Sequence, residues 1–177
     1  MDPIIIVCDN NGKPTGEFIP REVGHTGDGK HHLAITVLIY NSKGEVLLQK
    51  RKHKRFDKLW DLTGATDLYH FESREESFEQ STLRCLTREY GIEKVENLQN
   101  LGGFNYFQKW GEYCENEFCA MMIGEYNEEV KMNPEVGYSY KWVNKQDFLK
   151  DIEANPQNYT PWAIEGVKVL KEKGFFN

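Results

Sequence analysis

The apolar and polar positions of the chain form short β-like runs around one long helix-like segment. Short apolar runs rich in β-branched residues and bounded by turn residues predict strands. Such runs lie at 4–8, 34–40, 45–50, 104–108, 118–123 and 138–143. The turn sequence Asn41-Ser42-Lys43-Gly44 separates the second run from the third, which predicts that these two pair as a β-hairpin.

The segment from about 74 to 90 carries the clearest helical pattern. Residues that recur at helical spacing along it are Phe78, Thr82, Leu83, Leu86 and Tyr90. Gly91 follows, where a helix commonly ends. Ser73 and Glu76 have the spacing of a capping box, in which each side chain bonds the other residue's backbone amide. We therefore expect this helix to begin directly after Ser73.

A second helix is predicted near the end of the sequence. Thr160 and Pro161 are typical of an N-cap and a first-turn proline, and the helix would continue to about Lys171. Strands around a central helix, with further helix at the end, predict an α+β fold with a mixed β-sheet between helices, an α/β/α sandwich. No repeat period or low-complexity linker divides the 177 residues, so we expect one domain spanning 1–177.

Composition excludes several classes of protein. No apolar run approaches the roughly 20 residues that a membrane-spanning helix needs, and 39% apolar with 13% aromatic residues argues against disorder. A net charge of −6 disfavours general nucleic-acid binding. The four cysteines form no Cys-x-x-Cys pair, and the first residues lack the basic charge of a secretion signal. We therefore expect a cytoplasmic protein without a disulfide framework.

Carboxylates in two places are candidate metal ligands. Glu115 and Glu117 are two residues apart, so in a strand they project to the same side, where like charges repel unless a cation lies between them. Glu76, Arg84 and Glu89 lie in the predicted helix, whose carboxylates could hold a divalent metal over a phosphate. An ordinary solvated surface is the alternative for both groups, and both interpretations stay open at this point.

Histidines and basic residues provide two further candidate sites. His25 and His32 bracket a glycine-containing loop before a predicted core strand, and imidazoles combined with carboxylates suit zinc or manganese. Basic side chains are concentrated at 50–58, where Arg51 and Arg55 could each bind a phosphate through two parallel hydrogen bonds. Polar loop histidines and a solvated hairpin tip or partner-binding patch are the corresponding alternatives.

Together these features resemble the type I isopentenyl diphosphate isomerases and their close relatives within the Nudix superfamily. The resemblance spans about 6–170. The stretches that carry it, in order, are Gly12-Lys13-Pro14-Thr15-Gly16, Arg21, His25-Thr26, His32-Leu33-Ala34, the turn at 41–44, Arg51, Trp60, the segment 84–92, Glu115-Asn116-Glu117, Tyr140-Lys141-Trp142 and Thr160-Pro161-Trp162. The resemblance implies a Nudix fold, with a mixed β-sheet between helices.

The resemblance also implies a set of functional residues. Those that match the tightly held metal of the isomerases, where Mn²⁺ or Zn²⁺ is expected, are His25, His32, Glu115 and Glu117. A second metal, usually Mg²⁺, would be held with the diphosphate through Glu89. The implied substrate-binding residues are Arg21, Arg51 and Arg55 for the diphosphate and Trp162 for a carbocation. Glu117 and Glu89 are the implied catalytic carboxylates.

Two positions depart from the isomerase pattern. Ala65 stands where the isomerases carry a catalytic cysteine, and Asp67 stands where they carry a third metal-binding histidine. Alanine cannot transfer a proton, whereas a carboxylate can still bind a metal, so we keep Asp67 in the predicted ligand set. The Nudix box is altered as well, because Cys85 and Arg88 replace two of its glutamates.

The sequence therefore favours a metal-dependent Nudix-type hydrolase of a small diphosphate-containing molecule. Two alternatives are an isopentenyl diphosphate isomerase of full or reduced activity and a non-catalytic module that binds a phosphorylated ligand. The expected partner is a small-molecule diphosphate, without nucleic acid or membrane, and a homodimer is left open. The organic part of the substrate is not predicted.

Overall fold

The computed structural model describes residues 2–177, with a main sheet built around strand β3 (His32–Tyr40). The other strands are β1 (Ile4–Cys8), β2 (Pro14–Pro20), β4 (Glu45–Arg51), β5 (Trp60–Asp61), β6 (Gly64–Asp67), β7 (His70–Phe71), β8 (Arg74–Glu75), β9 (Glu96–Trp110), β10 (Tyr113–Glu125) and β11 (Gly137–Asn144). The helices are α1 (Arg21–Gly24), α2 (Phe78–Tyr90), α3 (Lys145–Ala154) and α4 (Pro161–Glu172), with a 3₁₀ turn at Pro156–Asn158.

The sheet is mixed, as predicted. One edge of β3 pairs in parallel with β10, and β10 continues antiparallel to the long strand β9. The other edge of β3 is shared by β1, β6 and β4 in succession, all antiparallel. Every residue of β3 except Tyr40 is buried, which explains why apolar residues point to both of its sides, because a strand covered on both faces has no solvent-exposed side.

The hairpin predicted between β3 and β4 forms only beside its turn at 41–44. Farther along, Thr63 lies between the two strands. Its hydroxyl donates to the carbonyl of Leu47 at 2.7 Å and accepts from the amide of Ile39 at 2.8 Å. Strands β5 and β6 therefore take the edges that β3 and β4 would otherwise offer each other. This insertion brings Asp67 to the centre of the sheet.

The central helix begins later than the sequence predicts. Ser77 caps α2: its hydroxyl accepts from the amide of Gln80 at 3.2 Å, and the Gln80 side chain accepts from the amide of Ser77 at 3.0 Å. The capping box predicted at Ser73 is therefore wrong, because the residues just before Ser77 form the short β7–β8 hairpin instead. The predicted helix end at Gly91 is confirmed by its left-handed φ of 68°.

Helices cover both faces of the sheet, so the predicted α+β sandwich is confirmed. Helix α2 packs on one face through Cys85, Leu86 and Tyr90. Helices α3 and α4 pack on the other, where Thr160 caps α4 as predicted. Strand β2 and helix α3 were not predicted, and α1 lies just before the glycine-containing loop that His25 and His32 bracket. Within residues 2–177, no helix is both long and apolar enough to cross a membrane.

Candidate active site

Strand register brings three candidate residues to one face of the sheet. Glu117 of β10 lies directly beside His32 of β3. Two residues along β3, Ala34 has Cys119 of β10 on one side and Asp67 of β6 on the other. Directly paired residues point to the same side, as do residues two apart in one strand. The side chains of His32, Glu117 and Asp67 therefore converge although the sequence separates them widely.

His25 completes this cluster from the loop after α1. Its Nε2 atom lies 3.2 Å from Oδ1 of Asp67, and the Nε2 atom of His32 lies 3.3 Å from the same oxygen. The His32 nitrogen is also 3.6 Å from Oε1 of Glu117. One potential ligand atom from each of His25, His32, Asp67 and Glu117 lies within 4.8 Å of the others, and all four residues are buried.

The outer hydrogen bonds of the two histidines suit metal binding. Nδ1 of His32 donates to the carbonyl of Lys30 at 2.6 Å, and Nδ1 of His25 donates to the carbonyl of Cys114 at 3.1 Å. A proton held on Nδ1 leaves the Nε2 lone pair free, which is the usual arrangement of a metal-binding histidine. Nε2 of His32 is buried without a hydrogen-bond partner among residues 2–177. This unsatisfied atom, beside two carboxylates, fits a divalent metal.

The charges in the cluster depend strongly on one another. Burial lowers the pKa of both imidazoles, but Asp67 and Glu115 raise the pKa of His25 to about 9, and Asp67 and Glu117 raise that of His32 to about 10. Burial raises the pKa of Asp67, yet the charges of Arg21 and His25 hold it well below its usual range. A divalent metal would take the place of these histidine protons, since both compete for the same lone pairs.

Glu115 lies beside the four-residue cluster rather than within it. Its Oε2 atom is 3.0 Å from Nδ1 of His25, and its Oε1 atom is 3.3 Å from Nε of Arg55. Burial raises its pKa, but the His25 hydrogen bond and the positive charges lower it to about 2. Burial and the charge of Glu115 instead raise the pKa of Glu117. Glu115 therefore orients His25 and Arg55, whereas Glu117 faces the cluster.

A cleft of about 260 Å³ joins this cluster to the predicted anion-binding residues, and Arg21, Arg51 and Arg55 all line it. Nε of Arg21 donates to Oδ2 of Asp67, which ties the guanidinium to the cluster. Arg55 is 2% exposed. Its Nε atom and that of Arg51 are both buried without a hydrogen bond in the described chain, although Nε of Arg55 lies in the ion pair with Glu115. An enclosed guanidinium with an unsatisfied N–H is costly unless it binds an anion.

Trp162 packs against the Arg51 guanidinium, and both side chains donate to the carboxylate of Asp61. Its indole Nε1 donates to Oδ1 of Asp61 at 2.8 Å, and Nη1 of Arg51 donates to Oδ2 of the same carboxylate at 3.2 Å. The Arg51 guanidinium lies 4.8 Å from the centre of the Trp162 ring. The Phe56 ring packs edge-on against the same ring, with 5.2 Å between the two ring centres. The ring is 3% exposed. An internal cation therefore already occupies a face of the aromatic residue that the resemblance assigned to a carbocation.

Glu89 also lines the cleft but stands apart from the metal cluster. Its carboxylate accepts from Nε2 of Gln49 at 2.8 Å and from Nη2 of Arg88 at 2.5 Å. Burial and the neighbouring Glu89 raise the pKa of the Cys85 thiol, which keeps it neutral. The structure thus brings together His25, His32, Asp67 and Glu117 and places Glu89 at a separate point of the cleft.

Several cleft residues were missed by sequence reasoning. Tyr106 pairs with Glu117 across β9 and β10, and its hydroxyl donates to Oε2 of Glu117 at 2.6 Å. His53 accepts from the amide of Arg55 through Nδ1, and burial with the charge of Arg51 lowers its pKa to about 4. Tyr106 could have been found from the register of the β9–β10 hairpin. No sequence signal distinguished His53 within its basic segment. Ala65 lines the cleft as well.

Known proteins resemble this chain in sequence and in structure. Isopentenyl-diphosphate Delta-isomerases from Shigella dysenteriae and Escherichia coli are each 26% identical to it over 161 residues, which cover 90% of this chain and 87% of theirs. The Deinococcus radiodurans protein DR0079 superposes with a TM-score of 0.68 at 14% identity, over 95% of this chain and 98% of its own. The MutT protein of Methanosarcina mazei superposes with a TM-score of 0.62 at 20% identity, over 81% of this chain and 95% of its own.

The structural likenesses establish the fold, and a domain match establishes the family. The sequence pattern of the NUDIX domain matches residues 30–163, which is most of the chain. That span includes β3, the β5–β6 insertion, helix α2 and the β9–β10 hairpin, which together carry most of the cleft. The chain therefore belongs to the Nudix family of enzymes.

Proposed function

We propose that the protein is a metal-dependent hydrolase of a small molecule that contains a diphosphate. One observation supports this above the others: a single cleft has Asp67 and Glu117 of the metal cluster on its wall together with Arg51 and Arg55, whose Nε atoms are buried. Phosphoryl transfer is catalysed mainly by positioning and by stabilising negative charge. Metal ligands and unsatisfied guanidinium groups around one cavity are suited to that task.

The residues that would hold the metal are His25, His32, Asp67 and Glu117. When bound, a divalent metal polarises phosphate oxygens and lowers the pKa of water. Nitrogen together with oxygen ligands favours Mn²⁺ or Zn²⁺ over Mg²⁺ at this position. The resemblance also includes Glu115 in the ligand set, and that stays a prediction.

The chain's own residues bind the diphosphate and move a proton. The unsatisfied Nε atoms of Arg51 and Arg55 supply charge-assisted hydrogen bonds to phosphate oxygens. Glu117 is the acid–base residue: Tyr106 donates to its Oε2 atom, and its Oε1 atom faces the metal cluster, where it can accept the proton of an attacking water. The cleft volume of about 260 Å³ lies at the small end of ligand pockets, which favours a compact organic group.

A phosphate-release screen tests the proposal. Nucleoside and prenyl diphosphates are incubated with the protein and with Mg²⁺, Mn²⁺ or Zn²⁺, and inorganic phosphate and pyrophosphate are measured. We expect release from at least one compound, and a loss of roughly a hundredfold or more in kcat for Glu117→Gln. Glu112→Gln neutralises an exposed carboxylate in the turn between β9 and β10, and it serves as the matched control. No release by the metal-loaded parent from any compound contradicts the proposal.

An isomerase of isopentenyl diphosphate is the second candidate. The 26% identity to such isomerases over 90% of the chain favours it. Ala65 opposes it, because its methyl group lines the cleft where the isomerases are expected to carry a cysteine. Product analysis separates the candidates: dimethylallyl diphosphate supports isomerisation, and saturable binding without any product supports a module that only binds.

A further inference from the structure

Glu89 is buried at the cleft, and both of its carboxylate oxygens are already engaged. Oε1 accepts from Nη2 of Arg88 at 2.5 Å and from the thiol of Cys85 at 3.5 Å. Oε2 accepts from Nε2 of Gln49 at 2.8 Å. The residue is 5% exposed. Each oxygen of Glu89 therefore has a donor, in contrast to Nε2 of His32, which has no hydrogen-bond partner in the described part of the chain.

A divalent metal does not fit the residues around Glu89. Mg²⁺ takes oxygen ligands in near-octahedral geometry. The residues four positions before and one position before Glu89 are Cys85 and Arg88, which offer a thiol and a cation instead of carboxylates. A guanidinium in contact with this carboxylate would repel a divalent ion bound to it. The helical metal site that the resemblance implied is therefore not supported by these side chains.

Arg88 reaches the cleft by turning along the helix surface. Consecutive helical residues do not normally face each other, yet Arg88 contacts Glu89 and lines the cleft. Asn133 fixes the backbone here, because its amide donates to the carbonyl of Glu89 at 2.7 Å and its Nδ2 atom donates to that of Arg88 at 3.2 Å. The hydrogen bonds of Arg88 to Glu89 and Cys85 both come from Nη2, so its Nε and Nη1 N–H groups remain available to donate to a ligand.

We propose that Arg88 supplies the positive charge that a second metal would otherwise provide beside Glu89. Arg88 binds a phosphate group there, and Glu89 is its positioning residue. The protein then holds one divalent metal per chain, in the cluster at His32 and Asp67, and not a second one at Glu89. This inference rests on the proposed function for the identity of the ligand as a diphosphate. Unlike a bound metal ion, the Arg88 guanidinium cannot dissociate from the cleft, and its presence does not depend on the metal concentration.

Metal stoichiometry tests the inference without any enzymatic activity. Mn²⁺ binding is followed by electron paramagnetic resonance for the parent, Arg88→Glu and the cleft control Lys52→Gln, whose ammonium donates to the carbonyl of Pro134. We expect one Mn²⁺ per chain in the parent and in Lys52→Gln, and a second, weaker site in Arg88→Glu. The double variant Arg88→Glu, Glu89→Gln should return to one. The Arg88 side chain is 41% exposed but pairs with buried Glu89, so a melting curve recorded with Mn²⁺ verifies that each variant is folded.

Pyrophosphate binding tests the role of Arg88 as an anion contact. Calorimetry with the Mn²⁺-loaded protein should show roughly tenfold or greater weakening in Arg88→Gln, the loss expected for a charge-assisted bond. Lys52→Gln should weaken binding by less than about threefold, as expected for an exposed charge. Equal losses in both variants overturn the specific contact in favour of diffuse attraction.

The outcomes also separate this inference from the hydrolase proposal. Two Mn²⁺ sites in the parent, one of them lost in Glu89→Gln, overturn the inference and leave the hydrolase proposal intact. No Mn²⁺ in the parent overturns the metal centre of the hydrolase and the single-metal stoichiometry together. In that case pyrophosphate binding by the metal-free protein decides whether Arg88 contacts the anion.

Discussion

Nε2 of His32 lies 3.3 Å from Oδ1 of Asp67, and no hydrogen bond from residues 2–177 satisfies that nitrogen. Nδ1 of His32 already donates to Lys30, so a neutral imidazole directs its Nε2 lone pair at a carboxylate oxygen. Two lone pairs at this distance repel each other unless a cation lies between them or the imidazole takes a second proton. Because its pKa is raised to about 10, His32 takes the second proton in the metal-free protein, and a divalent metal would replace that proton.

We expect protein purified without chelator to carry one divalent metal per chain by elemental analysis. Mn²⁺ or Zn²⁺ at about a hundredfold excess over its dissociation constant should stabilise the folded state by about 2.7 kcal/mol, seen as a rise in melting temperature. Asp67→Ala should abolish the rise, whereas Asp67→His, which restores a ligand, should retain it. The metal site would have to be abandoned if the parent contained no metal and gained no stability from either ion.

Isomerase activity should be very low in the parent protein. Ala65 lines the cleft and has no group that can transfer a proton. The kcat for conversion of isopentenyl diphosphate to dimethylallyl diphosphate should stay well below roughly 1 per second, the lower end of typical enzyme kcat values. The double variant Ala65→Cys, Asp67→His should raise any trace activity. Rapid turnover by the parent would instead show that another group, such as Cys119 at the cleft wall, performs the proton transfer.

Replacing Arg55 should weaken pyrophosphate binding strongly. Its guanidinium is almost fully buried, and its Nε atom lies 3.3 Å from Oε1 of Glu115 without forming a hydrogen bond to any described residue. Removing a charge-assisted contact costs about 1.5–3 kcal/mol, or roughly tenfold or more in affinity. Calorimetry on Arg55→Ala and Arg51→Ala in the presence of metal measures the loss. Because Arg51 pairs with buried Asp61 and Arg55 with buried Glu115, both variants need a check of folding.

Lys54 provides the matched control for these arginines. Its side chain is 52% exposed, and its ammonium lies 4.6 Å from the ring centre of Tyr113. An exposed charge contributes little to binding or stability, so Lys54→Ala should change pyrophosphate affinity by less than about threefold. A loss in Lys54→Ala as large as that in Arg55→Ala would mean diffuse attraction rather than a built anion site.

His53 should make the protein less stable in acid. Burial and the charges of Arg51, Arg55 and Arg21 lower its pKa from 6.5 to about 4. Below about pH 6.5 the unfolded chain takes up a proton on His53 that the folded chain accepts only near pH 4, so the free energy of unfolding falls as the pH drops through this window. After allowance for its partial exposure, we expect a contribution of about 1–2 kcal/mol.

Urea unfolding of chelator-treated protein at several pH values between 4 and 7 measures this effect. His53→Asn keeps an acceptor for the Arg55 amide but cannot take the proton, so its stability should fall less steeply than that of the parent on acidification. The two proteins should respond alike to pH above neutrality, which is the internal control. Parallel curves over the whole range would show that His53 is not responsible.

Local pattern was sufficient where burial or capping leaves a signature in the residues themselves. The apolar run of β3 and the N-cap of α4 were found because burial on both faces and a Thr-Pro start leave direct traces in sequence. The β5–β6 insertion left none, because Thr63 competes for the edges of β3 and β4 through long-range hydrogen bonds. Such pairing depends on tertiary contacts, which no local propensity encodes.

Candidate site residues could be predicted where the residue type itself suits metal binding. They could not be predicted where the role of a side chain depends on its neighbours in the fold. Histidines and paired glutamates singled out His25, His32, Glu115 and Glu117 as candidates, and the comparison with the isomerase pattern added Asp67. Only the register of three strands shows that they meet. The role of Glu89 depends on a neighbouring side chain that turns back along the helix, which spacing alone does not reveal. The single-domain organisation, the cytoplasmic location and the homodimer stay predictions.

Ser77, and not Ser73, should stabilise the start of α2. Ser77 and Gln80 bond each other's backbone amides, and loss of an N-cap typically costs about 0.5–2 kcal/mol. Ser77→Ala should therefore lower the free energy of unfolding by about 1 kcal/mol in urea titration, with an unchanged slope. Ser73→Ala is the matched control, since Ser73 lies at the exposed turn between β7 and β8 and should change stability by less than about 0.5 kcal/mol. Glu76, which the sequence assigned to the Ser73 cap, instead pairs with Arg84 at 2.7 Å. A larger loss in Ser73→Ala than in Ser77→Ala would move the start of the helix back to the position that the sequence predicted.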